Sequence, residues 1–207
     1  PGNRAFSPML TLAFDTATDV AAIALVRASE VLGERASRAV RILEDVDALL
    51  GDAGLGAESI DAIVVGTGPG SYTGLRMGLI TARALSLSLD VPVAGVSTLD
   101  ALAEGSGGAV PVIDARRGEI FTLVDGEPRC FAPDALDVRA GTTYVGDGAV
   151  RYRSMIEAAA GVVPEDRDRV HVPWARNHVL LAEDFGPAEA IEPLYLRAPD
   201  AERRLRA

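Results

Sequence analysis

Apolar residues recur along this chain with two periods, and the changes of period mark its elements. Residues 10–14 and 20–27 are short apolar runs separated by the polar stretch 15–19, and both are predicted strands. A third, shorter strand is predicted at 31–34, with brief turns as in an antiparallel meander. Then Ala39, Ile42, Leu43, Val46, Leu49 and Leu50 fall on one helical face, and Gly51 and Gly54 end it. Residues 60–65 form an apolar run leading into glycines, the pattern of a buried strand. Ser71 is placed to N-cap a long helix reaching about residue 89. A strand at 91–96 and a helix capped by Ser97 and ending at 103 complete the half, in the order β-β-β-α-β-α-β-α.

The second half repeats this order in weaker form. Strands are predicted at 110–114, 119–124 and 128–131, and a short helix at 133–138. A strand at 142–145, a helix at 152–160, a strand at 170–172 and a helix at 177–185 follow. A repeat unit this long means a duplicated α/β fold of two similar lobes, each built on a β-β-β-α-β-α core. The boundaries expected are 9–104 for the first lobe, 105–197 for the second, and a tail at 198–207. Residues 1–8 precede the first methionine and carry no pattern, so they are expected to be an artificial addition, with natural translation starting at Met9.

Composition narrows the function classes. The 207 residues are 48% hydrophobic and 24% charged, which excludes rods, collagen and wholesale disorder. The net charge is −10, so the chain is a poor candidate to hold RNA or DNA unaided. All 20 basic residues are arginine, which rules out a Walker lysine, a Schiff-base lysine or a Ser–Lys dyad. Cys130 stands alone, without a disulfide framework or a CxxC metal site, as expected of a cytoplasmic protein. No apolar stretch is long enough to suggest a membrane span, and no secretory signal pattern opens the chain.

Candidate chemistry clusters at three places. Asp15 and Asp114 each end the first strand of a lobe, with Thr16 beside the first. Such a residue is ordinarily a turn former. In a two-lobed fold, however, the two turns face each other across a cleft, as where actin-like and sugar-kinase folds hold phosphates and a metal. The loop Gly66-Thr-Gly-Pro-Gly-Ser-Tyr-Thr-Gly74 fits neither the P-loop nor the Rossmann spacing. It reads equally as a tight turn and as a backbone anion cradle. Gly74, Gly78, Ala82 and Ser86 then make a smooth stripe along the long helix. Two readings stand for it: close packing on the lobe's own sheet, or approach of a partner helix. Leu75, Leu79, Ile80, Leu85, Leu87 and Leu89 give that helix more apolar area than one sheet needs, which favours an oligomeric surface. His171 and His178 have no metal-motif spacing and read as structural. Arg116-Arg117 beside Asp114 reads either as an anion clamp or as a solvated hairpin tip.

These residues carry a family likeness. The run from Gly66 to Arg76 resembles the most characteristic motif of the TsaB (YeaZ) family. Leu12-Ala-Phe-Asp-Thr-Ala-Thr18, Gly95-Val-Ser-Thr-Leu99, Ile113-Asp-Ala-Arg-Arg-Gly-Glu119 and Pro193-Leu-Tyr-Leu-Arg197 match in order and spacing. The resemblance implies the duplicated actin-like/sugar-kinase fold and a kinship with TsaD. That catalytic subunit transfers threonylcarbamoyl from its adenylate to adenosine 37 of tRNA, using a metal held by a helix-borne His pair that this chain lacks. TsaB-like proteins resemble a scaffold, with no catalytic residues and no metal or cofactor of their own, although ATP or ADP has a place in the complex. Their partners are a TsaD-like subunit and a TsaE-like ATPase, with tRNA reached only through the complex. Alone they form homodimers through the same first-lobe helices. The resemblance therefore puts the partner surface on the first-lobe helices, with Ala39, Leu43, Val46, Leu50, Gly74, Leu75, Gly78 and Ala82 the residues expected there. A nucleotide has two candidate places: the cleft of Asp15, Thr16 and Asp114 that the repeat suggests, or the partner interface. One departure is that many relatives carry a His just before the first long helix. This chain has Ala36-Ser37-Arg38 there, and no role follows for it.

Two other functions are weighed against the scaffold. An autonomous ATP-using enzyme of the sugar-kinase type would need intact phosphate loops, yet the turn after Asp15 lacks the usual glycine. A metallopeptidase would need metal ligands that the sequence does not group.

Overall fold

The same strand plan occurs twice in the computed structural model, which describes residues 9–196. The first eight residues, Arg197 of the last family motif and the expected tail lie outside the described residues. In the first half, β1 (Leu10–Asp15), β2 (Ala21–Arg27) and β3 (Glu30–Ser37) pair antiparallel. β4 (Ala62–Gly68) and β5 (Val93–Ser97) then add in parallel on the other side of β1, giving the order β3-β2-β1-β4-β5. In the second half, β6 (Val110–Arg116), β7 (Glu119–Val124) and β8 (Glu127–Phe131) repeat the meander, and β9 (Tyr144–Val145) joins β6 in parallel. The order β8-β7-β6-β9 is the first sheet without its last strand. This is the duplicated actin-like plan that the repeat predicts.

Side-chain size decides what lies on each face of the first sheet. Leu10, Leu12, Phe14, Ile23 and Leu25 point to one face, where they meet α1 (Ile42–Asp52) and α2 (Tyr72–Leu89). Ala13, Ala22, Ala24 and Ala94 point to the other, where small side chains let α6 (Ala175–Leu181) lie close. The second sheet is likewise covered twice. Leu99 and Leu102 of α3 (Thr98–Gly105) pack with Ile113 and Phe121. Ala149 of α4 (Asp147–Arg151) and Ile156 of α5 (Arg153–Ala158) pack with Val112 and Ile120 on the opposite face. The helices are thus exchanged: α3, from the first half, covers the second sheet, and α6, from the second half, covers the first. α3 and α6 touch in the layer between the sheets.

The second half departs from the sequence reading in its short elements. Residues 133–138 hold one 3-10 turn, Pro133–Ala135, after which Leu136 and Val138 pack against the Tyr144–Ile156 cluster as extended chain. The helix expected at 152–160 starts earlier and breaks at Tyr152, whose φ of −106° and ψ of 22° leave the helical region. The strand expected at 170–172 is the 3-10 turn Arg169–His171. His171 there accepts the Gly146 N–H at Nδ1 over 3.0 Å, a structural bond. The last helix is shorter than expected and belongs to the first sheet.

Two close contacts fix this arrangement. Asp15, fully buried at the end of β1, accepts the Ala17 N–H at Oδ1 (2.6 Å) and the Thr98 hydroxyl at Oδ2 (2.7 Å). His178 Nε2 of α6 lies 2.7 Å from the same Oδ2, and neither side chain is exposed. Gly66 on β4 leaves room for this carboxylate, since a Cβ there would sit 2.0 Å from Asp15 Oδ2. The second contact settles the small-residue stripe of α2. A Cβ on Gly74 would lie 2.0 Å from the Thr16 carbonyl oxygen, and one on Gly78 2.4 Å from Thr16 Oγ1. Thr16 Oγ1 donates to the Gly74 carbonyl, and the Ser71 N–H donates to the Ala17 carbonyl, each at 2.7 Å. Gly74 and Gly78 therefore receive the chain's own β1–β2 turn, while Ala82 packs into the core beneath the sheet and Ser86 donates to the Val91 carbonyl.

Gly74→Ala should be destabilising by about 1–3 kcal/mol, because backbone must move. The gain in helix propensity, about 1 kcal/mol, is smaller. A denaturation midpoint that rises instead would mean that α2 and the turn are not in contact. His178→Ala should cost on the order of 3 kcal/mol, because it withdraws a partner from a buried carboxylate. The same midpoint measurement checks it.

Candidate functional site: the cleft and the α1–α2 face

Where the two sheets face each other, the turns after β1 and β6 border a cavity of about 540 Å³. Its walls are Ala17–Asp19 of the first turn, Gly70–Thr73 and Arg76 at the start of α2, and Asp114–Arg117 of the β6–β7 hairpin. Asp147 at the start of α4, Ile113, Phe121 and the segment Leu194–Leu196 complete the lining. Ser71 caps α2 by accepting the Gly74 N–H at 3.3 Å, as the sequence predicts. The last segment is strapped over the glycine loop by the Leu194 N–H, which donates to the Thr67 carbonyl at 2.8 Å. Its Tyr195 ring lies 5.2 Å from that of Tyr72, over which the Arg76 guanidinium stacks at 4.1 Å.

The expected pair of cleft aspartates divides. Asp114 lines the cavity, whereas Asp15 and Thr16 do not. Asp15 is turned inward to Thr98 and His178, and Thr16 is consumed by α2. Both aspartates keep the local bond that the repeat implies: the N–H two residues on donates to Oδ1, from Ala17 in one lobe and from Arg116 in the other (2.9 Å). Only their surroundings differ. Asp114 Oδ2 lies 3.1 Å from Arg116 Nη1 and 3.5 Å from Arg151 Nη1, and the Asp114 N–H donates to Asp147 Oδ1 at 3.0 Å. Arg116 also reaches Asp19 of the first lobe. Asp19, Asp147, Tyr72 and Tyr195 are cleft residues that the sequence did not single out; their only local signal was adjacency to turns and motifs. Among the described residues, no group of three or more His, Cys, Asp or Glu is placed to hold a metal ion. Of the three cleft carboxylates, Asp19 and Asp114 are paired with arginine and Asp147 accepts a backbone N–H.

Most of the residues expected on the partner surface are buried within the chain. Val46, Leu50, Gly74, Leu75, Gly78 and Ala82 are buried in the chain's own packing, so they present no side chain to a second molecule. The reason is geometric: the sheet and the β1–β2 turn occupy the side of each helix to which these residues point. Ala39 is half-buried and Leu43 is exposed. On α1, α2 and the turn before α1, the large apolar side chains that stay exposed are Val40 (75% exposed), Leu43 (57%), Ile80 (64%) and Leu87 (68%). They sit on neighbouring elements, because the turn Ala39–Arg41 that precedes α1 lies against α2. Ile80 and Leu87, seven apart, were legible as apolar surplus.

Burial is the first cause that pushes the Asp147 carboxyl above its ordinary range, opposed by the Asp114 N–H and reinforced by the Asp114 charge. The folded chain therefore binds this proton more tightly than the unfolded chain, and stability from this group is lost as pH rises through the folded value. Asp147→Asn keeps an acceptor for the Asp114 N–H. It should match or exceed the parent at neutral pH, with the difference vanishing below about pH 4. Urea midpoints across that range measure it.

Residues 31–145 match the family described as TsaD: tRNA N6-adenosine threonylcarbamoyltransferase. The chain is 39% identical over 123 residues to the tRNA threonylcarbamoyladenosine biosynthesis protein TsaB of Bacillus subtilis, covering 55% of this chain and 54% of that one. It is 40% identical over 124 residues to the protein of the same name in Escherichia coli, covering 55% and 53%. The matched stretch thus spans about half the length of these relatives. An uncharacterized protein of Mycobacterium tuberculosis is 36% identical over 213 residues, covering 92% of this chain and 93% of that one. The structure of YeaZ from Pseudomonas aeruginosa superposes with a TM-score of 0.72 at 27% identity, over 91% of this chain and all of that one. With a family match over more than half its length and the YeaZ architecture along nearly all of it, the chain belongs to the TsaB (YeaZ) family.

Proposed function

We propose that this chain is a non-catalytic partner subunit of the machinery that installs N6-threonylcarbamoyl on adenosine 37 of tRNA, and that it binds and supports a TsaD-like catalytic subunit. The observation that carries the reading is the exposure of Val40, Leu43, Ile80 and Leu87 on α1, α2 and the turn that packs against α2. A face of this kind is expected to be covered. The relatives named for tRNA threonylcarbamoyladenosine biosynthesis supply the process. The non-catalytic reading is supported by the engagement of Asp114, which is held by Arg116 and flanked by Arg151, while Asp19 shares the Arg116 guanidinium. The turn of Asp15 into the core argues against the autonomous ATP-using enzyme, which would need that carboxylate in the cleft.

In this reading the free chain pairs with a second copy through the same face, and the TsaD-like subunit displaces that copy. A TsaE-like ATPase joins the assembly, and ATP or ADP is bound in the complex rather than required by this chain alone. The net charge of −10 leaves tRNA to be held by the other subunits. The site of action is the cytoplasm. Among the described residues, no helix is long and apolar enough to cross a membrane.

Light scattering after size exclusion, on the chain alone and mixed with the TsaD-like protein of its own organism, tests the proposal. A new 1:1 species formed at the expense of the homodimer is expected. Ile80→Asp with Leu87→Asp should weaken both associations more than tenfold, since each buried Ile or Leu is worth about 1.5–3 kcal/mol. The fold itself should change by no more than about 0.5 kcal/mol per site. Association that survives the double substitution would remove the face from the interface.

A further inference from the structure

The tip of the β6–β7 hairpin is built around a bulge at Arg116. The strand register slips between Asp114 and Arg116, and Arg116 pairs with Glu119 across a two-residue turn of Arg117 and Gly118. Arg116 itself stands at φ +63°, a left-handed conformation that side-chain-bearing residues enter at a cost. Bulges of this kind re-aim a side chain, and this one turns the guanidinium across the cleft mouth. Its two ends are unlike. On the near side, Nη1 meets Asp114 Oδ2 at 3.1 Å, and the Arg116 N–H donates to Asp114 Oδ1 at 2.9 Å. The Asp114 side chain is only 3% exposed. On the far side, Nη2 meets Asp19 Oδ1 at 2.5 Å, and Asp19 is 71% exposed on the β1–β2 turn of the other lobe. Arg151 flanks Asp114 at 3.5 Å, and Asp147 accepts the Asp114 N–H, so the near anchor is itself held in place.

We propose that Arg116 is a latch on the cleft: it stays anchored on Asp114 and is made and broken at Asp19, so that the spacing of the two lobes responds to ionic strength. The anchored end has little freedom left to lose, which lowers the cost of reaching across. The exposed end is a rim ion pair, worth little and screened by salt. An asymmetric pair of this kind opens readily and closes again in register. The inference rests on the cleft alone and stands apart from the partner-subunit reading.

Hydrogen exchange by mass spectrometry on the full chain tests it, reading peptides that span residues 16–20 and 113–119. In Asp19→Asn and in Arg116→Gln, exchange should rise on both sides of the cleft, by about two- to fivefold, the range set by exposed ion pairs. The double variant should exchange no faster than Arg116→Gln alone. About 0.5 M NaCl, where the screening length is about 4 Å, should accelerate the parent and leave the double variant unchanged. If each substitution loosens only its own side, or if the two effects add, the latch is overturned. Asp19→Asn alone decides the matter should Arg116→Gln fail to fold, because it touches only the exposed end.

Discussion

Asp15 carries its carboxylate into the layer between the two sheets, where none of it reaches water. A buried carboxylate without partners would be ruinous to a fold of ordinary stability. Here three elements supply them: the start of the next turn through Ala17, the first turn of α3 through Thr98, and α6 through His178. Each partner comes from a different stretch of chain, so the group can be satisfied only when β1, α3 and α6 are in place together. The glycine at position 66 and the alanines facing α6 belong to the same constraint, since larger side chains would hold these elements apart.

Much of the first half was legible because its signals are local and strong. Ser71 and Ser97 cap their helices as their positions predict. β1 and β2 were legible as apolar runs, and the structure sorts their large and small side chains onto opposite faces. The second half is built from elements too short to show a period, with a two-residue strand at β9 and helices of five and six residues at α4 and α5. A broken helix of that length reads as one helix or as none.

The sequence located the turn aspartates and the α2 stripe but not what surrounds them in the fold. The repeat located both turn aspartates, and both retain the same turn bond. Nothing near Asp15 in sequence announces a histidine 163 residues later that draws it inward. The glycine stripe likewise admitted two readings, because its partner Thr16 lies 58 residues from Gly74. Once the stripe is filled from within, the surface of α2 open to another molecule is the opposite one, marked by Ile80 and Leu87. One helix thus carries the cleft wall at its start, the β1–β2 turn on its inner side and the exposed apolar residues on its outer side.

The exchange of helices between sheets also bears on how the chain is made. On a ribosome the first sheet is complete once β5 has emerged, but its Ala-rich face stays bare until α6 follows, most of a second lobe later. At about 5–20 residues per second, that face is exposed for several seconds. Small side chains on it keep the apolar area low during the wait. During synthesis from the N-terminus that face is covered only when α6 seats His178 against a carboxylate carried by the first strand of the sheet.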